Sequence, residues 1–201
     1  MVRHLVNTPK ASLLVLALAL VAPLAAGCVE DPEEDLELAE ESAELSAFAA
    51  SIQNVWSQKC LDIPWGSNRQ GEAVNQFNCH GGGAQRFRVE LVWGVPGQTA
   101  TGWQIRNTTT NLCLRPNGAS APGFTPESIS VSQWPCDGHW AVWRKRDVVA
   151  LSGGERLSFS WDRDAAYCLD VPANRAHLDG TQLQIYRGCH GGALQRFDVR
   201  P

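Results

Sequence analysis

The sequence predicts one all-β domain over residues 51–201, built from three imperfect copies of a multi-strand unit and closed with pseudo-threefold symmetry. Three observations carry that expectation. The phrase "CHGGGAQRF" at 79–87 returns as "CHGGALQRF" at 189–197, 110 positions later. Midway, "WPCDGHWAVW" at 134–143 keeps Cys136, a glycine and the aromatic Trp143 in the same order. Upstream, "KCLDI" at 59–63, "LCLRP" at 112–116 and "YCLDV" at 167–171 open the three units. Self-similarity of this kind marks one supersecondary unit used repeatedly.

In chain order, residues 1–27 stand apart from that domain. Arg3, His4 and Lys10 form a basic start, "ASLLVLALALVA" an apolar stretch of signal-peptide length, and "PLAAGC" a small-residue end before Cys28. Pro23 and the short span argue against a membrane-crossing helix, which needs about 20 apolar residues. "LAAGC" is similar to a bacterial lipobox, in which the cysteine becomes the lipidated mature N-terminus. The departure is Ala25 three places before Cys28, with Leu24 displaced by one. The expectation is an exported chain with Cys28 lipidated and held at the membrane surface; the other outcome is cleavage after Gly27 and free secretion. Residues 28–50 then read as an acidic flexible tether, because 29–50 hold nine acidic residues and no Lys or Arg.

Residues 51–201 divide into repeats at about 51–98, 99–152 and 153–201. Short strand-like runs recur: "IQNVW", "AVNQF", "RFRVELVW", "WQIRN", "SISVSQW", "VVALS", "RLSFSW", "TQLQIY" and "RFDV". Gly, Pro, Asn and Asp clusters separate them, the mark of hairpins rather than helices. A chain of this length buries about 70% of its unfolded surface, enough for one domain. Its charge is 15 Lys and Arg against 12 Asp and Glu, a dispersed +3 (15 − 12) with "WRKR" at 143–146 as its one basic cluster. That is too little for nucleic acid, and the cluster is expected to decorate an exposed strand end.

Seven cysteines in an exported chain leave one over. Cys28 lies outside the repeats, where lipidation accounts for it. The others fall as Cys60/Cys79, Cys113/Cys136 and Cys168/Cys189, one pair per repeat. Six cysteines allow fifteen connectivities, and pairing within each repeat is one of them. A bridge closing a loop of about 20 residues stabilises by roughly 3 kcal/mol in the chain-entropy account.

"CLDI…VNQFNCHGGGAQRF" and "CLDV…LQIYRGCHGGALQRF" resemble the first and third repeats of a ricin-B-type lectin domain. The resemblance implies a β-trefoil whose repeats each end in Gln-x-Trp, softened here to Gln85-Arg86-Phe87 and Gln195-Arg196-Phe197, and decayed to Ala141-Val142-Trp143. It also implies glycan or polysaccharide ligands, held at Asp62, Asn75 and Phe77 and at Asp170, Gln184 and Tyr186. The chemistry agrees with those residue types. An aromatic ring covers the C–H face of a pyranose, an ionised carboxylate accepts strong bonds from neighbouring hydroxyls, and an amide assists. Gln85 and Gln195 are expected to brace the sites, with Phe87 and Phe197 in the core.

The family pattern often has Asn before the signature Gln; here Ala84 and Leu194 stand there, so each site lacks one polar contact. His80 and His190 are candidate substitutes, or else turn residues beside Gly-Gly. In the middle repeat Arg115 replaces the Asp and Ser132 the amide, so that repeat is expected to be structural, with Trp134 packing. No short Cys/His ligand spacing suggests a metal, and no cofactor is expected. "GxSxG", "HExxH" and a phosphate loop are all missing from the sequence. Asp162 and Asp164 in "SWDRDAAYC" read as a polar turn rather than a hydrolytic pair. A non-catalytic sugar-binding module is therefore the expected function, with a protein-binding trefoil as the alternative. The sequence assigns no oligomeric state.

Overall fold

A computed structural model describes residues 49–93, 102–118 and 126–201. The predicted signal peptide, Cys28 and all but the last residues of the tether lie outside the described residues. Repeat 1 supplies β1 (Ser51–Asn54), β2 (Cys60–Asp62), β3 (Asn75–Phe77) and β4 (Phe87–Val92). Repeat 2 supplies β5 (Gly102–Asn107), β6 (Cys113–Pro116), β7 (Ser128–Trp134) and β8 (Trp143–Leu151). Repeat 3 supplies β9 (Gly154–Trp161), β10 (Asp164–Asp170), β11 (Thr181–Gln182), β12 (Gln184–Arg187) and β13 (Phe197–Arg200).

Six strands close on themselves. β1 pairs with β13, β13 with β9, β9 with β8, β8 with β5 and β5 with β4, all antiparallel. A bridge between Ala50 and Phe87 joins β4 back to β1. Among the described residues, closure leaves these six strands no free edge in the ring. The remaining strands form one hairpin per repeat, β2–β3, β6–β7 and β10–β12. These hairpins also meet each other, through β3–β11, β12–β7 and a bridge from Ala73 to Ser132. A β-trefoil is the result.

The core follows the repeat. Phe87, Trp143 and Phe197, the three signature aromatics, are wholly buried. So are Leu61, Leu114 and Leu169 of the "CL" dipeptides, and Ile52, Ile105 and Phe159 of β1, β5 and β9. Each such side chain contributes about 1.5–3 kcal/mol by leaving water. The three disulfides join Cys60 to Cys79, Cys113 to Cys136 and Cys168 to Cys189, each inside its own repeat.

Two segments add detail to the sequence reading. "CLD" and "CLRP" are strands themselves, although three or four residues are too few to show alternation. "WRKR" forms the first end of the nine-residue β8, with Arg144 and Arg146 exposed as expected of a strand end, and two of its cations are engaged. Arg144 Nε meets Asp162 Oδ1 at 2.6 Å, and Lys145 Nζ meets Glu155 Oε1 at 2.5 Å while lying 3.8 Å from the Trp103 ring centre.

Candidate functional site

Strand pairing assembles the first candidate site. Asp62 ends β2 directly opposite Asn75 of β3, and Phe77 follows two residues later on the same face. Buried Gln76 between them points the other way: its Nε2 donates to the carbonyls of Ala176 and Leu178, and its Oε1 accepts from Ser57 Oγ. Phe77 is left 41% exposed although it lies in a strand. These residues line a cleft of about 580 Å³ that the Pro64–Gly66 turn, Ala84 and Thr109 help to enclose.

Its floor holds two unpaired acceptors. Asp62 Oδ1 and Asn75 Oδ1 are both buried without a hydrogen-bond partner. His80 Nε2 stands 3.3 Å from Asp62 Oδ1, within ion-pair reach but off the geometry of a hydrogen bond. The other ring nitrogen, Nδ1, accepts from the Gly82 amide at 3.1 Å, which assigns the proton of a neutral His80 to Nε2, on the Asp62 side. Burying acceptors unpaired costs free energy, about 1–3 kcal/mol each, so a donor-bearing ligand has something to satisfy. Gln85 is wholly buried; its Oε1 accepts from His80 N at 2.8 Å and its Nε2 donates to Asn78 O at 3.0 Å. It fixes the turn that carries His80.

One further residue belongs to this cleft. Trp65 is fully exposed, at 102%, and its backbone sits at φ 58°, ψ 13°. The left-handed region costs a bulky residue on the order of 1–3 kcal/mol. The sequence places Trp65 in a loop near the first site, as a platform rather than a ligand contact; its place in the cleft lining comes from the fold.

Repeat 3 reproduces the framework with different satisfaction. Asp170 stands opposite Gln184 and Cys168 opposite Tyr186, so Gln184 and Tyr186 match Asn75 and Phe77 in register. The extra residue before Cys189 is taken up at Gly188, whose φ of 110° suits only glycine. His190 and Gln195 repeat the turn: His190 N donates to Gln195 Oε1 at 3.0 Å, and Gly192 N to His190 Nδ1 at 3.0 Å. Here, however, Gln184 Nε2 donates to Asp170 Oδ1 at 2.8 Å, and Tyr186 Oη donates to Glu127 Oε1 at 2.5 Å. Burial pushes the Asp170 carboxyl above the ordinary aspartate value, partly offset by bonds from Gln184 and Gln195 and by nearby His190. The hydrogen bond to Glu127, and its charge, raise the Tyr186 phenol.

The middle repeat fills its own site. Arg115 occupies the Asp position opposite Ser132, and its guanidinium lies 5.1 Å from the Trp134 ring and 5.8 Å from the Trp140 ring. Trp140 is the residue that corresponds to Ala84 and Leu194. A cation stacked on two indoles is held where a ligand would enter. Trp134 Nε1 donates to Asn117 Oδ1 at 3.0 Å, which ties that ring down.

Sequence reasoning also missed the polar pins behind the sites. Asn107 Nδ2 reaches the carbonyls of Gly83, Ala84 and Arg86, and its Oδ1 accepts from Thr109 N and Thr110 N. Asn54 does the same for Ala193, Leu194 and Arg196. Trp161 takes the third equivalent place, donating Nε1 to Trp140 O at 3.1 Å. Two asparagines 53 positions apart, each six before a "CL" cysteine, were the signal available. Asp162 stands in the turn and meets Arg144, while Asp164 opens β10 and its Oδ1 accepts from Ala166 N.

Residues 44–134 match the profile of the family described as "Ricin-type beta-trefoil lectin domain-like". Among curated proteins, none matches this chain. The fold is that of ricin-B-type lectins. A designed threefold symmetric protein, ThreeFoil, superposes with a TM-score of 0.61 at 23% identity, over 76% of this chain and 98% of that one. A Macrolepiota procera ricin B-like lectin, solved in complex with lactose, gives 0.53 at 18% identity, over 76% and 95%. The exo-β-1,3-galactanase 1,3Gal43A from Clostridium thermocellum gives 0.62 at 19% identity, and there the match spans 76% of this chain but 30% of the enzyme.

Proposed function

We propose that this protein is an exported, non-catalytic carbohydrate-binding module that engages glycans or polysaccharides through the repeat-1 cleft, with a second site in repeat 3. One observation carries the reading: Asp62 Oδ1 and Asn75 Oδ1 are buried without hydrogen-bond partners, and their residues line one cleft with the exposed Phe77. A pyranose brings the complement, adjacent hydroxyl donors on one rim and an apolar ring face. His80 Nε2–H adds a donor beside the carboxylate, where Ala84 removes the polar contact of the family pattern. The ricin-B-type fold and the family profile support the same class.

Two sites on one domain gain by multivalency on a polymer or glycan-covered surface. The leader, Cys28 and the acidic segment to residue 50 suit export and a lipid-anchored stalk that holds the trefoil away from a membrane. The carboxylates of Asp162 and Asp164 each serve local contacts, which favours binding over hydrolysis.

A glycan-array and polysaccharide pull-down of the purified protein, beside an Asp62→Ala/Asp170→Ala double variant, tests this. Binding that disappears in the correctly disulfide-bonded variant is the expected result. A wild type that retains no glycan would sink the carbohydrate reading and leave the protein-binding trefoil. Labelling with a radioactive fatty acid, lost in Cys28→Ser, tests the anchor.

A further inference from the structure

We propose that Trp65 forms a second aromatic subsite of the repeat-1 cleft, so that this cleft takes a neutral oligosaccharide of two or more units. The proposal rests on the carbohydrate reading and deepens it. Its first support is the placement of Trp65 itself. A fully exposed indole buries nothing and adds nothing to the core, yet the chain holds it on a left-handed backbone. The turn that presents it is fixed, with Gly66 N donating to Ile63 O at 2.8 Å and Ser67 N to Pro64 O at 3.0 Å. Strain kept at an exposed, positioned aromatic points to a ligand.

The second support is size. A cleft of about 580 Å³ lies in the range that takes ligands of more than one ring. Phe77 and Trp65 both line it, and two aromatic surfaces offer faces to two sugar units. Asp62 and Asn75 orient the first unit beside Phe77. Ala84 makes that part of the wall apolar, so contact there falls to C–H faces rather than hydroxyls.

The third support is charge. Among the described residues, Asp62 and His80 are the ionisable groups lining the cleft, and no Lys or Arg lines it. A uronic acid or sulfated sugar would bring an anion to a carboxylate with no fixed cation to meet it. A neutral saccharide brings no such conflict. Repeat 3 carries Ala173 where repeat 1 has Trp65, after the matching prolines Pro172 and Pro64, so this subsite belongs to one repeat.

Calorimetric titration of the full protein with three neutral pairs tests the proposal: galactose and β-1,3-galactobiose, glucose and cellobiose, xylose and xylobiose. We expect at least one disaccharide to bind about tenfold more tightly than its monosaccharide. In Trp65→Ala that advantage should fall below about twofold, with monosaccharide affinity changed less than about twofold and the melting temperature unchanged. Trp65→Phe should restore most of the advantage. A disaccharide advantage that survives Trp65→Ala, or its absence in the wild type, overturns the subsite. If monosaccharide binding persists in that case and is lost in Asp62→Ala, the carbohydrate reading stands alone. Failure of all six sugars to bind the wild type overturns both.

Discussion

Gln184 donates its side-chain amide to Asp170 Oδ1 at 2.8 Å, while Asn75, at the same register position opposite Asp62, makes no hydrogen bond to Asp62 Oδ1. One methylene separates the two amides in length, and the longer one closes the contact. A sugar hydroxyl entering repeat 3 must displace Gln184 from Asp170 and compete with Glu127 for Tyr186. In repeat 1 it meets an acceptor already waiting. The two sites are therefore unequal. Asp62→Ala should weaken the preferred glycan by about tenfold or more, the loss of a charge-assisted bond. Asp170→Ala should change it by less than about threefold. Calorimetric titration of each single variant decides the ranking, and the reverse order would show that repeat 3 is the principal site.

The Asp170 carboxyl gives a pH signature of its own. Burial raises its folded-state pKa above the unfolded value, so the folded protein binds the proton more tightly than the unfolded chain does. Stability from this group then falls as pH rises from the unfolded aspartate value through the raised one, and stays lower above it. Asp170→Asn removes that dependence. The melting temperature of the variant minus that of the wild type should climb across this acidic window and level off above it. A flat difference would mean that Asp170 titrates as an ordinary carboxyl.

Asp198 runs the other way. Its hydrogen bonds with Arg156, at 2.6 and 3.0 Å, hold its carboxyl below the ordinary aspartate value against the cost of burial, with help from Arg156 and Arg200 charge. A lowered folded pKa gives stability that is present above the unfolded value and lost as pH falls through the folded one. Asp198→Asn should lower the melting temperature at neutral pH, and the deficit should shrink as the wild type is acidified. A deficit independent of pH would assign the loss to packing.

The asparagine pins connect fold to site. Asn107 is wholly buried and holds the carbonyls of Gly83, Ala84 and Arg86, the turn that forms one side of the repeat-1 cleft. Asn107→Ala leaves those carbonyls short of a donor and should cost about 1–3 kcal/mol in denaturant unfolding. It should also weaken glycan binding, because the turn carrying Ala84 and Gln85 is released. Asn54→Ala removes the matching pin from the Ala193–Arg196 turn and should be as destabilising while sparing the repeat-1 cleft. Equal effects of both variants on binding would break this assignment.

The trefoil was legible because its signal is redundant. "CHGG", "CLD" and a buried aromatic recur in register, and each copy corroborates the others. Gln184 and Tyr186 could be aligned across an inserted residue for the same reason. The inequality between repeats was not legible. It depends on whether an amide of one length or another reaches a carboxylate, and on Glu127, 59 positions from Tyr186 in sequence. Sequence pattern set Trp65 apart from the other tryptophans as a loop residue near the first site, but not as one that lines the cleft. Trp143 is wholly buried while Trp65 stands in solvent. Exposure of one aromatic over another is a tertiary outcome.

Arg115 closes the comparison among repeats. Its guanidinium lies against Trp134 and Trp140 in the position that Asp62 and Asp170 hold in the other repeats, with Nε buried and unbonded. Stacking of a largely desolvated guanidinium on tryptophan is worth roughly 1–2 kcal/mol. Arg115→Ala should lower unfolding stability by about that amount, through loss of packing as well as charge. Glycan affinity should be unaltered, because the repeat-1 cleft takes its floor from Asp62 and Asn75. Arg115→Lys keeps the charge but not the planar face, and should recover less than half of the loss. A variant that keeps full stability but loses glycan binding would identify the middle repeat as a ligand site instead of a stacked plug.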